Sequence, residues 1–204
     1  VIINADGLRD GTNTEGLLLE VRNGRVSIVT VDGVGGAGDS DIEIAAEELT
    51  ATAQNGDLEL EVDGSTRVVA DGLYVLSGSG TLDVDSISGS LQVDAPIRHD
   101  GSGLLNIALN DGHLASNSLI AQTGSGNLTV NILNGTVDMS SLAQMQTNSG
   151  LLDLRASGLI TLSRISTQSG NIYLESTADS VRRLTNFSGA NIISLSRSTV
   201  NVAK

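Results

Sequence analysis

The chain has no cysteine, no tryptophan and a single proline, and only 1% of its residues are aromatic. Without cysteine the protein can form neither a disulfide framework nor a thiolate metal site. A fold of 204 residues normally anchors its interior with several aromatic rings. A core made instead of Leu, Val, Ile and Ala indicates narrow, regular layers.

Basic residues are also scarce, since 11 Lys and Arg stand against 24 Asp and Glu, which gives a net charge of −13. Such a surface repels nucleic acid and anionic lipid. The chain has no basic stripe with interleaved aromatic residues that would indicate nucleic-acid binding. No apolar run approaches the length of a membrane span.

What the chain does have is a repeated phrase, Ser-Gly followed by a short apolar alternation, as in TGSGNL at 123–128. The glycines of this repeat recur every 20 to 24 residues, at Gly56, Gly80, Gly103, Gly126, Gly150 and Gly170. Two and four positions after each glycine the residue is apolar, and this period of two is typical of strands with one buried face.

Each unit continues with a second alternation and a third, shorter apolar stretch, such as LYVL at 73–76. Three short strands in about 23 residues, with no helical periodicity, predict an all-β fold, a right-handed parallel β-helix (β-solenoid). At this repeat length, residues 1–204 form a single elongated domain of eight or nine turns. We expect the chain to be an excerpt of a longer protein or one subunit of a filament.

The Ser-Gly pairs are predicted to mark a corner of each turn, where glycine allows a bend that a side chain would hinder. The serines before these glycines are expected to form a ladder of hydroxyl groups: Ser79, Ser102, Ser125, Ser149 and Ser169. A phosphate-binding loop is not supported, because no helix follows and no Lys stands at the required spacing.

The two ends of the repeat are less regular. The strand-like segments at 41–46 and 49–53 follow the preceding strands at a shorter spacing. Either a glycine-rich insertion at 32–39 or a compressed turn explains this. Residues 178–204 keep apolar spacing without the Ser-Gly phrase in register.

The phrases GSGNLTVNILNGTVDM at 124–139 and SGLITLSRISTQSGNIYLES at 157–176 resemble the repeats of filamentous haemagglutinin-like adhesins and related giant exported bacterial β-solenoid proteins. The resemblance covers about residues 16–176. It implies an exported adhesive or structural surface fibre. The Asn-Pro motif of the adhesins' secretion module is missing, since the one proline, Pro96, follows Ala95. No functional residue is carried over from that group.

Acidic side chains offer one candidate site. If the turns align, Asp57, Glu59 and Glu61 lie outward below Asp83 and Asp85, with Asp41 and Glu43 beneath them. Stacked carboxylates repel each other, and Ca²⁺ would offset the repulsion because it accepts several carboxylate oxygens. The alternative is a solvated face that keeps the sheet from pairing with its neighbours.

The segment GGAGDSDIE at 35–43 approaches the calcium-binding nonapeptide repeat. Gly35, Gly36 and Gly38 fit, but Ser40 stands where the repeat has Asp, with Asp39 and Asp41 on either side. The motif is also solitary, whereas the calcium-binding fold holds ions between successive copies. A flexible insertion is therefore the preferred interpretation.

Catalysis is not indicated. His99 and His113 fall at different places in successive turns, and the repeated serines have no associated base. We predict no catalytic, cofactor-binding or metal-binding residue and no required cofactor, with Ca²⁺ as the open alternative.

The predicted function is that of an extracellular or cell-surface β-solenoid, a shaft or filament segment. Its partners would be flanking solenoid sequence or other copies of itself, stacked end to end, and cell-surface glycans. A Ca²⁺-assisted carbohydrate- or surface-binding module and a polysaccharide-degrading β-helix enzyme are the alternatives.

Overall fold

The computed structural model describes residues 1–9, 19–35, 41–178, 181–183, 192–194 and 200–203. These residues form strands and turns, with no helix that could cross a membrane among them. In chain order the strands are β1 (Ile2–Ala5), β2 (Leu19–Thr30), β3 (Ile42–Ala53), β4 (Leu58–Asp63), β5 (Thr66–Val75), β6 (Leu82–Ser88), β7 (Leu91–Val93), β8 (Ile97–His99), β9 (Leu105–Asp111), β10 (Leu114–Ser116), β11 (Leu119–Gln122), β12 (Leu128–Asn134), β13 (Val137–Met139), β14 (Gln144–Thr147), β15 (Leu152–Ala156), β16 (Ile160–Leu162), β17 (Arg164–Thr167), β18 (Ile172–Ser176), β19 (Val181–Arg183), β20 (Ile192–Ser194) and β21 (Val200–Ala203).

The strands stack in three parallel columns, because each strand pairs with the strand one turn later. The first column contains β4, β6, β9, β12, β15, β18 and β21. The second contains β7, β10, β13, β16 and β19, and the third contains β8, β11, β14, β17 and β20. The longer strand β5 contributes to the second and third columns, and β3 pairs with both β4 and β5.

This arrangement is a parallel β-solenoid of about seven turns with roughly 23 residues per turn. The predicted fold class, repeat length and three strands per turn are confirmed. The predicted eight or nine turns are too many. One reason is an insertion in the first column. Val34 pairs with Leu58 and Ile42 with Leu60, so a step of eight residues in one turn is aligned with a step of two residues in the next turn. The predicted glycine-rich insertion therefore lies between Val34 and Ile42, and its residues 36–40 fall outside the described residues.

The core is a set of aliphatic stacks, because alternate residues of every strand point inward. Six residues of the first column lie in register and are fully buried: Leu58, Leu82, Leu105, Leu128, Leu152 and Ile172. Val130 is likewise 0% exposed, between Ile107 below and Leu154 above. Each turn therefore buries its apolar side chains against the same positions of its neighbours, which ties consecutive turns together.

The repeat glycines stack directly on one another, but the reason for glycine differs from the prediction. A β-carbon on Gly103 would lie closer to the carbonyl oxygen of Gly80 than the 3.0 Å that real β-carbons keep, and Gly126 has the same relation to Gly103. A positive φ is found at Gly56, at +82°, but not at these later glycines. Glycine is needed here because successive backbones approach closely, and a left-handed bend is not required.

The predicted serine ladder is wrong. The serines before the glycines are exposed, and of their hydroxyl groups Ser169 donates to Asn148 O at 3.4 Å, while none of the five bonds to another. A different column of polar side chains, which is buried, lies at the corner where each strand of the third column ends. We call it the corner column. Its members are in register and at most 4% exposed: His99, Gln122, Thr147 and Thr167.

The corner column satisfies backbone groups that the bend would otherwise leave without partners. Gln122 donates through Nε2 to Gly103 O and accepts from the N–H of Gly124 at 2.6 Å. Thr147 donates to Gly150 O at 3.1 Å. One buried side chain per turn thus holds the glycine corner in place.

Candidate functional site

Six carboxylates form the acidic stack on the outward face of the first column: Asp41, Glu43, Glu59, Glu61, Asp83 and Asp85. Glu43, Glu61 and Asp85 lie in one row over three turns, and Glu59 and Asp83 lie in register in the next row. Successive turns are about 4.8 Å apart, so these groups repel each other. The predicted alignment of these six residues is confirmed.

Asp57, the seventh predicted member, has a different role. Its Oδ1 accepts a hydrogen bond from the N–H of Thr81 in the next turn at 2.7 Å. In the same way, the Oδ1 of Asn127 accepts a hydrogen bond from the N–H of Leu151 in the next turn at 2.9 Å. These side chains connect consecutive turns at the start of the first column, so Asp57 belongs to the architecture of the corner.

A cavity of about 120 Å³ lies among Asp41, Glu59, Asp83 and Asp85. Burial and the neighbouring charge of Asp83 raise the pKa of Asp85 to about 7, and a hydrogen bond to Asp83 and the charges of Asp41 and Glu61 add to the effect. Burial also raises the pKa of Asp83, against the opposing hydrogen bond from Asn106 Nδ2 at 2.8 Å. Below about pH 7, protonation of Asp85 relieves part of this repulsion.

Within the described ranges, no group of three or more His, Cys, Asp or Glu side chains is arranged so that it could hold a metal ion. The nonapeptide-like segment falls largely outside these ranges, since residues 36–40 are not described. Of its other members, Gly35 has a left-handed φ of 76° and Asp41 belongs to the acidic stack. The Ca²⁺ hypothesis stays a prediction.

The two histidines have separate structural roles. His99 is 0% exposed, its Nδ1 accepts from the N–H of Gly101 at 3.0 Å, and its Nε2 lies 2.6 Å from Gly80 O. Nδ1 is therefore the acceptor, and Nε2 carries the proton that bonds the carbonyl oxygen. His113 is exposed and accepts from the N–H of Thr136 in the next turn at 3.2 Å. The structure does not bring the two rings together.

A second, larger concavity of about 390 Å³ lies on the third column, where the sequence indicated no site. We call it the amide depression, and its lining residues are Gln122, Thr123, Gln146, Thr147, Asn148, Arg164, Ser166, Thr167 and Gln168. Gln144 pairs with Arg164 and Gln146 with Ser166, so the outward side chains of β14 and β17 lie next to each other across the turns.

Sequence reasoning missed the amide depression because its residues are ordinary polar side chains without a spacing motif. The one available signal was the segment QMQTNSG at 144–150, with RISTQSG at 164–170 one turn later. These phrases place amides and hydroxyls at matching positions of two turns. The pattern becomes a site only when the turns are stacked.

The fold and its surfaces define the class of this protein as a parallel β-solenoid repeat protein. Comparison with known protein families, with curated proteins and with solved structures returned no match. The structure thus confirms the β-solenoid fold that the resemblance to filamentous haemagglutinin-like adhesins implied, and no match supports membership of that group.

Proposed function

We propose that this chain is a shaft segment of an extracellular surface fibre. The observation that carries the proposal is the in-register stack of fully buried aliphatic side chains through consecutive turns. A backbone hydrogen-bonded along the axis and tied by a continuous core resists bending and stretching. The absence of cysteine is compatible with export.

The first strand supports continuation of the solenoid. β1 pairs with β2 on one side, and on its other side no strand among the described residues covers it. The N–H of Ser27 donates to Val1 O and that of Val31 to Ala5 O, so the odd-numbered residues of β1 bond to β2. In a parallel pair the even-numbered residues then direct their N–H groups to the open side. Such an edge is a template for another strand.

We infer that a further turn covers this edge, supplied by adjoining solenoid sequence or by a second copy. Electron microscopy and sedimentation of the purified chain test the second case. Threads one solenoid wide are the expected result, in contrast to discrete rods of about 34 Å, the length of seven turns at sheet spacing. Discrete rods at every concentration would refute stacking between copies.

A substitution at the edge sharpens this experiment. Asn4→Pro removes an N–H on the open side and leaves the bonds to β2 in place. Threads should be lost in this variant and kept in Asn4→Gln, with the same thermal unfolding midpoint for both. Threads that survive Asn4→Pro would show that this edge is not the joint.

Location at the cell surface has its own test. Antibodies against the chain should label intact cells of the source organism, and protease added outside should remove the label. Labelling that requires permeabilised cells would overturn the extracellular assignment.

A catalytic function is not proposed. Both ring nitrogens of His99 are engaged in hydrogen bonds within the core, so this histidine is not available as a general base. The Ca²⁺-assisted alternative is tested by calorimetric titration of the parent and of a variant in which Glu59, Asp83 and Asp85, which line the acidic cavity, are neutralised. Heat in the parent alone would establish it, and no heat with an unchanged melting temperature would eliminate it.

A further inference from the structure

The amide depression has the size of a small-molecule site. Its volume of about 390 Å³ lies within the range of roughly 300–1,000 Å³ that ligand pockets occupy. It is about three times as large as the cavity in the acidic stack. It also opens to solvent on a face that carries no aromatic side chain among its lining residues, so a ligand must be held there by hydrogen bonds and charge.

The side chains around the amide depression have unused hydrogen-bonding capacity. Gln146, Asn148, Ser166 and Gln168 form no side-chain hydrogen bond to any residue that the structure describes. Amides and hydroxyls both donate and accept. This combination matches the hydroxyl groups of a sugar, each of which is also a donor and an acceptor.

Arg164 adds a positive charge that no carboxylate among the described residues neutralises. Arg25, Arg67, Arg98 and Arg155 each form an ion pair with a carboxylate. Arg164 is exposed and has no such partner in the described part of the chain. A guanidinium that no described carboxylate engages can bind an external carboxylate through two parallel hydrogen bonds.

The acidic surface does not cancel this charge. Arg164 lies three turns from Asp83 along the solenoid, which corresponds to about 14 Å, and it lies in a different column. At physiological ionic strength, interactions between exposed charges are screened beyond about 8 Å. Asp100, at the end of the third column three turns from Arg164, is already bound by Arg98 and by the hydroxyl of Thr123. Asp153 and Glu175, on the first column in nearer turns, are paired with Arg155.

We propose that the amide depression binds an acidic sugar, with the carboxylate on Arg164 and the ring hydroxyls on the amides of Gln146 and Gln168. We expect the affinity of one site to be millimolar, because without an aromatic platform only hydrogen bonds and one charge pair hold the sugar. On a fibre many copies act together, because the second and later contacts are intramolecular. The shaft would then contribute to adhesion along its length.

Titration with digalacturonate, followed by the backbone amide resonances of the whole chain, tests this site. The fully methyl-esterified disaccharide is the matched probe, because it keeps the shape and loses the charge. Digalacturonate should shift the resonances of residues 146–148 and 164–168, and the ester should bind at least about tenfold more weakly, since a charge-assisted pair is lost.

Arg164→Gln should weaken digalacturonate binding by about tenfold or more. Arg155→Gln is the control, because it makes the same change on the first column, away from the amide depression. Gln168→Leu provides a second variant that leaves the charge in place, and it should weaken both probes equally. All three variants are checked for a parent-like spectrum.

Three results would overturn the proposal. One is the absence of shifts up to about 20 mM digalacturonate, which is beyond a millimolar dissociation constant. Another is equal binding of the acid and its ester. The third is unchanged binding in Arg164→Gln. None of these outcomes bears on the shaft function, because thread formation depends on β1 and not on this face.

Discussion

Asp85→Asn should stabilise the protein at neutral pH, because it removes a carboxylate that the fold disfavours. Asp85 lies in the acidic stack, where burial and the charge of Asp83 raise its pKa from the ordinary 3.8 to about 7. An Asn side chain at this position has nearly the same shape. Its amide can donate to Asp83 as the protonated carboxyl group does.

The pH dependence follows from where the proton is bound. Below about pH 3.8 both the folded and the unfolded chain carry the Asp85 proton. As the pH rises toward 7 the unfolded chain loses it first, so the free energy of unfolding falls. Above about pH 7 the folded state loses it too, and the penalty stays constant. The advantage of Asp85→Asn over the parent should therefore grow between about pH 4 and pH 7 and then level off.

The difference between the ordinary pKa of 3.8 and the folded-state pKa of about 7 corresponds to a destabilisation of the folded protein above pH 7 of at most about 4 kcal/mol. Asp85 is only partly buried, so solvent screening reduces this to about 1–2 kcal/mol. For a chain of this size, such a change raises the unfolding midpoint by about 3–6 °C.

Thermal and urea unfolding between pH 4.5 and 8.5 measures the effect. The control is Asp138→Asn, which neutralises an exposed carboxylate on β13 and changes the net charge by the same amount. Parallel pH profiles for the parent and Asp85→Asn would refute the reasoning. Equal stabilisation by Asp138→Asn would assign the gain to net charge and not to the acidic stack.

Three further substitutions test the core and the corners, each measured by urea unfolding. Val130→Asp places an unpaired charge among buried aliphatic side chains and should cost several kcal/mol, about 3 or more. Its outward neighbour Asn131→Asp, which lies beside Arg155, should be nearly neutral. Gly103→Ala forces the close backbones apart and should cost about 3 kcal/mol or more, whereas Gly64→Ala, at φ +84° with open space, should cost only about 1–2 kcal/mol. Gln122→Met leaves two part-buried backbone groups of the corner, Gly103 O and the N–H of Gly124, without partners and should cost about 1–3 kcal/mol.

Each of these comparisons has a clear contrary result. Parent-like unfolding of Val130→Asp would show that the inward face is assigned to the wrong residues. Equal effects of the two glycine substitutions would mean that backbone conformation, and not close approach, explains the glycine column. A neutral Gln122→Met would mean that water replaces the buried amide at the corner.

The sequence by itself determined the fold class, the turn length and the inward residues. These follow from local periodicity, because alternation of apolar residues is a property of each strand and the recurrence of glycine aligns one strand with the next. The acidic stack was predictable for the same reason, since Glu59 and Asp83 occupy the same position of consecutive repeats.

Only the tertiary structure decided what those alignments do chemically. The distance between stacked backbones makes glycine necessary at Gly103, and no periodicity contains that distance. The burial of His99 and Gln122, the raised pKa of Asp85 and the concavity around Arg164 all depend on how side chains of different turns fill space together. Contacts between turns set solvation and hydrogen bonding, and these are properties of the assembled solenoid.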